Sequence, residues 1–476
     1  MPNLSFLLPF LSLLLLHPSS QQDSPIFVYS HFRHGARAPL RLNAEGVDYF
    51  GQKWSSSGEL TGVGMRMHYI LGYRTHLKYS NFLSSTYDPR ELYVYSSDVN
   101  RTIISAASHL QGLYPESTGP VLTDEQLKYA NMTPIEMQQE IADIIVALGN
   151  LSLPHQINTI PIHVFHVDER RFLLHEESIC LTMTDTMTQN EKRLSVINEV
   201  IDNFNKAYKD KLETFVKGDG VNFNSIRFIN SVTDQFIADY YDGRDLSFLE
   251  SEYGINVEQF LNDSLKIFST YFQYFTFGDE DVELASMSMS PVFKEMLELM
   301  KNRVNGDMFG TTSDIAYNDY SKPKMVLISG HDSSTAASQL FMKKIFNLTH
   351  EFIVPVFATN SMFEIHRNAT KPESYSDYII NYYFNDQLLG SFNFAEFVGT
   401  VNEHLWTEEE IEDYCHIGNY KEREEKRKLY ITTIVLGCFC AALLIVVFVI
   451  WGLICKRKSG LKHAAQNAEP LMKGEE

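Results

Sequence analysis

The sequence predicts an α/β protein built on a doubly wound mixed sheet, with helices on both faces of that sheet. Three apolar runs with strand propensity, at residues 26–30, 91–97 and 324–330, each lead into polar or charged residues and then into helical spacing. In open α/β sheets, ligands bind beyond the carboxyl ends of such strands. Hydrophobic residues make up 44% of the chain and aromatic residues 13%, which is typical of a protein with a packed core.

The chain has 476 residues, a length that predicts two or three domain-sized units. Between residues 123 and 276 the sequence pattern changes to amphipathic helical segments, which indicates a mostly helical cap inserted into the core. A short apolar run near the N-terminus predicts a signal peptide, and a longer uncharged run predicts a transmembrane helix. The predicted organisation is a signal peptide at 1–20, an α/β core at 21–125 and 277–415, a helical cap at 126–276, a juxtamembrane stalk at 416–428, a transmembrane helix at 429–454 and a cytosolic tail at 455–476.

A cleaved leader followed by one later span predicts a single-pass type I membrane protein. Residues 21–428 would then lie in a lumenal or extracellular compartment, either at a lysosomal or endocytic membrane or at the cell surface. Glycosylation sequons in this region are consistent with that placement. They lie at Asn150, Asn262, Asn347 and Asn368.

Two of the five cysteines, Cys180 and Cys415, fall in the predicted extracytosolic part. In an oxidising compartment these two permit one disulfide, and two free thiols are the alternative. Their spacing fits no zinc pattern, so the sequence predicts no metal site.

The net charge of −20 argues against a nucleic-acid partner, because no general positive field would attract a polyanion. An anionic substrate would need a local basic cluster, and Arg33 and Arg37 flank His34 directly after the first predicted strand. Guanidinium groups match phosphate oxygens with a rigid fork of donors, and a neutral imidazole can act as a nucleophile. The stretch therefore indicates phosphate chemistry, and the alternative is an ordinary basic turn.

The second and third strand-to-helix junctions carry the remaining charged groups. Arg101 follows the strand at 91–97, and His331 and Asp332 follow the strand at 324–330. Taken singly, each arginine could belong to an ordinary ion pair, and the His-Asp dipeptide could lie in a surface turn. The coincidence of three such junctions favours one composite site.

Other segments complete the predicted core and cap. Helical spacing predicts helices within residues 60–72, 103–113, 137–148, 190–208 and 292–303. Strand propensity predicts further strands at residues 160–166, 352–356, 362–366 and 378–384.

Residues 33–39, Arg-His-Gly-Ala-Arg-Ala-Pro, resemble the signature of the histidine acid phosphatases. The similarity continues in the same order through Leu-Thr, Gly, His-Tyr and Leu-Gly within residues 60–72, Ser-Asp-Val-Asn-Arg-Thr at 97–102 and His-Asp at 331–332. With its predicted span and tail, the chain resembles the membrane-anchored lysosomal-type enzymes, and its lumenal part is similar to prostatic acid phosphatase.

The resemblance implies hydrolysis of small phosphate monoesters through a phosphohistidine, without a metal or another cofactor. It assigns His34 as the nucleophile and Asp332 as the acid that protonates the leaving alkoxide. The implied phosphate ligands are Arg33, Arg37, Arg101 and His331. An acid pH optimum follows, because His34 attacks through a deprotonated nitrogen while Asp332 must carry a proton. The family also implies a homodimer.

Two alternatives to an acid phosphatase remain open. Phytases and other inositol-phosphate phosphatases of the same superfamily share the Arg-His-Gly start, and selectivity would depend on how the cap shapes the entrance. A catalytically inactive, receptor-like ectodomain with this fold is the second alternative. The complete set of nucleophile, acid and cations favours an enzyme, since a binding module needs no such set.

Overall fold

The computed structural model describes residues 24–130, 142–165, 180–217, 220–278, 282–311 and 323–416, together with positions 429, 432–433 and 450. The predicted signal peptide and tail, the stalk beyond residue 416 and all but four positions of the predicted transmembrane helix lie outside these residues. Within the described ranges, no helix is both long and apolar enough to cross a membrane. The chain divides into two compact units, Met1–Ile411, which contains the sheet, and Glu412–Glu476.

Seven strands form one mixed sheet. They are β1 (Phe27–Arg33), β2 (Leu92–Ser97), β3 (His163–Phe165), β4 (Met325–Gly330), β5 (Asn360–Arg367), β6 (Tyr378–Phe384) and β7 (Gln387–Asn393). Their order across the sheet is β3-β2-β4-β1-β5-β6-β7. The first four in this order are parallel, and β5, β6 and β7 follow as antiparallel neighbours. The predicted mixed α/β sheet is therefore confirmed.

Helices connect and flank these strands. In chain order they are α1 (Gly62–Tyr79), α2 (Asn100–Leu113), α3 (Asp124–Ala130), α4 (Ala142–Leu148), α5 (Leu181–Arg193), α6 (Ser195–Leu212), α7 (Ile226–Tyr241), α8 (Phe248–Ser251), α9 (Val257–Thr270), α10 (Val282–Met308), α11 (Asp332–Ile345), α12 (Phe394–Glu403) and α13 (Glu408–Cys415).

Both faces of the sheet are covered by helices. On one face, Phe32 of β1 and Leu110 of α2 belong to one cluster of buried apolar side chains. On the other face, the ring of Phe293 in α10 has its centroid 4.9 Å from that of Phe341 in α11 and 6.0 Å from that of Phe363 in β5. Because it is covered on both faces, β4 is buried at every position, and this explains its continuous run of mostly apolar residues.

Residues 352–356, predicted as a strand, form a loop instead. The side chain of Gln339 in α11 takes the place of a strand partner. Its Nε2 donates to the carbonyl of Ile353 at 2.9 Å, and its Oε1 accepts from the N–H of Ile353 at 2.6 Å. Pro355 has no N–H to offer a ladder. The prediction was wrong because a distant side chain satisfies this backbone, which local strand propensity cannot reveal.

Strand β7 was missing from the predicted strands. It joins β6 through a two-residue hairpin at Asn385 and Asp386, whose φ angles are 48° and 62°. Positive φ at both central positions is the type I′ geometry, which asparagine and aspartate tolerate better than most residues. The Asn-Asp pair was therefore an available sequence signal for this hairpin.

The segment predicted as a cap contains helices and one strand. Helices α5 to α9 and a π-helical turn at Tyr271–Thr276 account for most of residues 181–276, and the rings of Phe236 and Phe260 pack edge to face inside this region with centroids 4.5 Å apart. Strand β3, also within the range predicted for the cap, pairs with β2 at the edge of the sheet. The helical character is observed, whereas the division into core and cap stays a prediction.

Features expected of an extracytosolic domain are present in the described residues. Cys180 and Cys415 are both buried and each is disulfide-bonded, so neither is a free thiol. The four sequon asparagines are all exposed and accessible to modification.

Helices α1 and α2 approach closely enough that glycine is required between them. A Cβ at Gly72 would lie 1.9 Å from the carbonyl oxygen of His109. We expect Gly72→Ala to lower the free energy of unfolding by about 1 to 3 kcal/mol, because backbone must move to relieve the overlap. The control on the same helix is Gly62→Ala, where a Cβ would meet nothing within 4 Å. Urea unfolding measures both, and equal stabilities of the two variants would contradict this packing.

Candidate active site

The carboxyl ends of β2, β4 and β1 meet at one edge of the sheet, because these strands are parallel neighbours. His34 follows β1, Arg101 lies in the first turn of α2 after β2, and His331 and Asp332 follow β4. The rings of His34 and His331 have centroids 5.8 Å apart. The residues singled out from three separate stretches of sequence are thus brought together.

Arg33, the last residue of β1, is buried with 1% of its surface exposed. Its Nη2 lies 2.7 Å from Oδ2 of Asp332, and its Nη1 donates to the carbonyl of Pro355 at 2.8 Å. The guanidinium also lies over the ring of Phe357, 4.3 Å from the centroid. These contacts replace the interactions with water that the guanidinium loses on burial.

Arg37 is buried in the loop after β1. Its Nη2 donates to Oδ1 of Asp234 at 2.8 Å, and its guanidinium lies 5.9 Å from the centroid of the Phe357 ring that Arg33 also contacts. Asp234 comes from α7, within the range predicted for the cap. Sequence analysis missed Asp234 and Phe357, since nothing in their local sequence distinguishes them from other helix acids and loop aromatics.

The imidazole of His34 has a defined tautomer. Its Nδ1 lies 2.9 Å from the carbonyl oxygen of Gly35, and a carbonyl can only accept, so the hydrogen bond assigns the proton to Nδ1. The lone pair is then on Nε2. His34 is 1% exposed, so this nitrogen is shielded from bulk water.

His331 is connected to the end of β2 by a chain of hydrogen bonds. Its Nε2 lies 2.9 Å from Oγ of Ser97, which lies 2.9 Å from Oγ1 of Thr102. The Thr102 hydroxyl donates to the carbonyl of Val99 at 2.8 Å, so Ser97 donates to Thr102 and accepts from Nε2 of His331. Nδ1 of His331 then faces Arg101, whose Nη2 is 3.5 Å away.

The Nε atoms of Arg33, Arg37 and Arg101 are buried and have no hydrogen-bond partner within the described part of the chain. Buried donors without an acceptor cost free energy, and a phosphoryl group would supply acceptor oxygens. Burial, followed by the charge of Arg37, lowers the pKa of Arg101 to about 10. The three guanidiniums therefore form a concentrated positive site suited to an oxyanion.

Comparison with known proteins identifies the family of this chain. The family model described as histidine phosphatase superfamily (branch 2) matches residues 27–385, which include all the candidate site residues. The chain belongs to this superfamily.

Curated relatives match this chain over part of their length. Lysosomal acid phosphatase from Xenopus laevis is 36% identical over 112 residues, which are 24% of this chain and 26% of the relative. Prostatic acid phosphatase from Bos taurus is 27% identical over 191 residues, 40% of this chain and 41% of the relative. The matched region thus spans about a quarter to two fifths of these relatives.

Solved structures share the fold. A phytase from Citrobacter braakii covers 81% of this chain and 98% of its own with a TM-score of 0.51 and 13% identity. The apo form of Hafnia alvei phytase covers 82% of this chain and 98% of its own with a TM-score of 0.53 and 12% identity. At such identities the likeness shows the fold alone.

Burial and the surrounding cations together set the charge of His34. Burial is the largest cause, followed by Arg33, Arg101, Arg37 and His331, and together they hold the pKa of His34 well below the usual 6.5. The ring is therefore neutral in mildly acidic solution, where an ordinary histidine would be mostly protonated.

The cations around Asp332 favour its ionised form. Burial would raise its pKa, but the charges of Arg33, Arg37 and His331 outweigh burial, and the net pKa lies below 3.8. The expectation that Asp332 carries a proton during catalysis stays a prediction. A bound phosphoryl dianion would pair with the same guanidiniums and so raise the pKa of Asp332. Asp332 would therefore become protonated when the substrate binds.

Helix α7, which carries Asp234, is fastened to residues 43–54. Asp239 of α7 is fully buried beside Asp48, whose Oδ2 accepts from Nε1 of Trp54 at 2.8 Å. Burial and the neighbouring Asp48 raise the pKa of Asp239 to about 9. Because the pKa of Asp239 is higher in the folded chain than in the unfolded chain, protonation of this carboxyl favours folding. The contribution is fully present below the unfolded pKa near 3.8 and is lost as the pH rises through about 9. The contribution of Asp239 to stability is therefore greatest in acid.

A cavity of about 340 Å³ opens beside the site. Arg37 and Asp332 line it, as does Phe268 from the helical segment. Two further guanidiniums, those of Arg41 and Arg227, also line it and were not predicted from the sequence. A leaving group bound here would meet both apolar rings and positive charge.

The state of His34 can be measured by NMR on protein with selectively labelled histidine nitrogens. We expect a neutral ring protonated at Nδ1 that titrates well below the usual 6.5. Arg101→Met should raise this pKa because it removes one cation, and His34→Gln assigns the resonance. Titration at or above 6.5, or a proton on Nε2, would show that the site is not built as described.

Proposed function

We propose that the chain is an acid phosphatase that hydrolyses small phosphate monoesters through a phosphohistidine on His34. The observation that carries this proposal is the orientation of His34, whose Nδ1 is engaged by the Gly35 carbonyl so that Nε2 presents its lone pair beside three guanidiniums. The superfamily and the acid phosphatases among the relatives support the same reaction class.

In the first step, the phosphoryl oxygens are neutralised by charge-assisted hydrogen bonds. The proposed ligands are Arg33, Arg37, Arg101 and His331. Nε2 of His34 forms a bond to phosphorus while the bond from phosphorus to the leaving oxygen breaks, and Asp332 gives its proton to that oxygen. The positive charge that develops on the ring is stabilised by the hydrogen bond from Nδ1 to Gly35.

In the second step, water replaces the leaving alcohol. The water oxygen bonds to phosphorus while the carboxylate of Asp332 accepts a proton from the water. At the same time the bond between phosphorus and Nε2 of His34 breaks. Inorganic phosphate leaves, and His34 regains its lone pair. Two steps with a good internal nucleophile replace one difficult attack by water.

The acid optimum follows from the two shifted groups. Because the pKa of His34 is lowered, Nε2 keeps its lone pair as the pH falls below 6.5. Asp332 has to be protonated when the phosphate dianion binds. The protonated fraction of Asp332 becomes smaller as the pH rises. The rate should therefore fall from acidic towards alkaline pH.

A lumenal or extracellular compartment is the proposed place of action. Disulfide-bonded Cys180 and Cys415 support an oxidising environment, and a relative named lysosomal acid phosphatase is consistent with it. The single-pass anchor at 429–454 and the homodimer stay predictions.

The assignment of acid and nucleophile is tested with two substrates that differ in leaving group. Asp332→Asn should slow hydrolysis of an alkyl phosphate by about 10² to 10⁴-fold, and that of p-nitrophenyl phosphate much less, since nitrophenolate leaves without a proton. His34→Ala should abolish both reactions. Asp88→Asn, at a carboxylate paired with Arg90 on the surface, is the control. Activity that survives in His34→Ala would remove the phosphohistidine from the mechanism.

A substrate with several phosphate groups is a second candidate, favoured by Arg41 and Arg227 in the cavity wall. We expect Arg227→Ala to lower kcat/KM for a bisphosphorylated polyol by about tenfold, as the loss of one charge-assisted hydrogen bond would, with little change for p-nitrophenyl phosphate. Arg90→Ala is the control for loss of a surface cation. Equal effects of Arg227→Ala on both substrates would exclude this candidate.

A further inference from the structure

The loop at residues 355–359 is hydrogen-bonded to the end of β1 and to the residue that follows it. The N–H of Arg33 donates to the carbonyl of Thr359 at 2.8 Å. The N–H of Ala358 donates to the carbonyl of His34 at 3.1 Å. A side-chain nitrogen of Arg33 donates to a third carbonyl of the same loop. The loop therefore holds the proposed nucleophile and one proposed phosphate ligand through their backbone.

A tight turn at the centre of this loop determines where the side chain of Phe357 points. The N–H of Thr359 donates to the carbonyl of Val356 at 3.1 Å, and Ala358 has a φ of 57°. A non-glycine residue in this left-handed region costs free energy, and such residues persist where the surrounding contacts hold them, often at functional sites. The backbone of the turn thus directs the ring of Phe357 towards the candidate site.

The ring of Phe357 contacts three groups of that site. Its centroid lies 4.3 Å from the guanidinium carbon of Arg33, 5.9 Å from that of Arg37 and 5.9 Å from the centroid of the His34 imidazole. The ring is buried, and it packs edge to face against Tyr241 of α7 with centroids 5.4 Å apart. Phe357 is therefore held in place on one side and supports the nucleophile and two cations on the other.

An aromatic ring suits this position because it attracts cations without occupying their hydrogen-bond donors. The negative face of the ring favours both guanidiniums and so offsets part of the repulsion between them. A carboxylate in its place would take up their N–H groups and compete with phosphoryl oxygens. The Nε atoms of Arg33 and Arg37 have no hydrogen-bond partner among the residues that the structure describes, so these donors remain available. An aliphatic side chain would fill the space without attracting either cation.

We propose that Phe357 is a positioning residue, which holds the guanidiniums of Arg33 and Arg37 around a phosphoryl group and packs beside the ring of His34. The inference rests on the proposed phosphatase function and adds to it a residue that lies outside every sequence motif assigned to the site. Phe357 acts through these three side chains.

The test measures binding of inorganic phosphate to the full-length chain by calorimetry in mildly acidic buffer, together with kcat/KM for p-nitrophenyl phosphate. Phe357→Leu and Phe357→Met remove the aromatic face and keep an apolar side chain, whereas Phe357→Tyr retains the face. Phe341→Leu is the matched control, because Phe341 is equally buried but packs against Phe293 in the core. Thermal melting verifies that each variant is folded.

Phe357→Leu and Phe357→Met should each weaken phosphate binding about tenfold, as the loss of a desolvated cation–π contact would, and should lower kcat/KM at least as much. Phe357→Tyr should bind phosphate within about twofold of the parent chain. Phe341→Leu should leave phosphate binding unchanged even where it lowers thermal stability, because it touches neither cation.

The proposal would be overturned by phosphate binding in the leucine and methionine variants that stays within about twofold of the parent. It would also be overturned by an equal loss in Phe341→Leu or by a tyrosine variant that binds as weakly as the leucine variant. A parent chain that binds phosphate but hydrolyses no monoester would contradict the proposed function alone, and the variants would still decide the role of Phe357. A parent chain that binds no phosphate would contradict both.

Discussion

The ion pair between Arg33 and Asp332 is the interaction on which the rest of the site depends. It joins the end of β1 to the first residue of α11, and it exists because β1 and β4 are parallel neighbours with Arg33 in register with Gly330. A guanidinium buried this deeply is tolerated only when it is paired and hydrogen-bonded. The strand pairing and the position of the charges are therefore a single constraint.

The surroundings of this pair show how several cations can be held close together. Arg33 donates a hydrogen bond to a backbone carbonyl and lies over an aromatic ring. Arg37 forms an ion pair with Asp234 from a distant helix. Burial is the largest cause of the lowered pKa of His34, and the same cations that would bind a phosphoryl dianion lower it further. Substrate binding and activation of the nucleophile thus share these cations, and the substrate is expected to change the protonation of Asp332 by competing for its partners.

The helical segment and α1 extend this arrangement away from the chemistry. Asp234 reaches Arg37 from α7, and the neighbouring Gln235 of α7 accepts a hydrogen bond from the N–H of Tyr49 at 2.8 Å, which attaches the helix to residues 43–54. On α1, Gly64 and Gly72 face the core, where backbones approach closely, and large apolar residues face outward.

The sequence by itself determined the parts whose causes are local. Strand propensity identified β1, β2 and β4, and the polar residues at their ends could be assigned to one site because parallel strands end at the same edge. An Asn-Asp turn would also have disclosed β7. Only the tertiary structure established the loop at 352–356, the tautomer of His34, the lowered pKa of Asp332 and the contacts of Phe357 and Asp234. Each of these depends on groups that are distant in sequence and near in space, and on burial that strengthens their charges, so no local pattern could encode them.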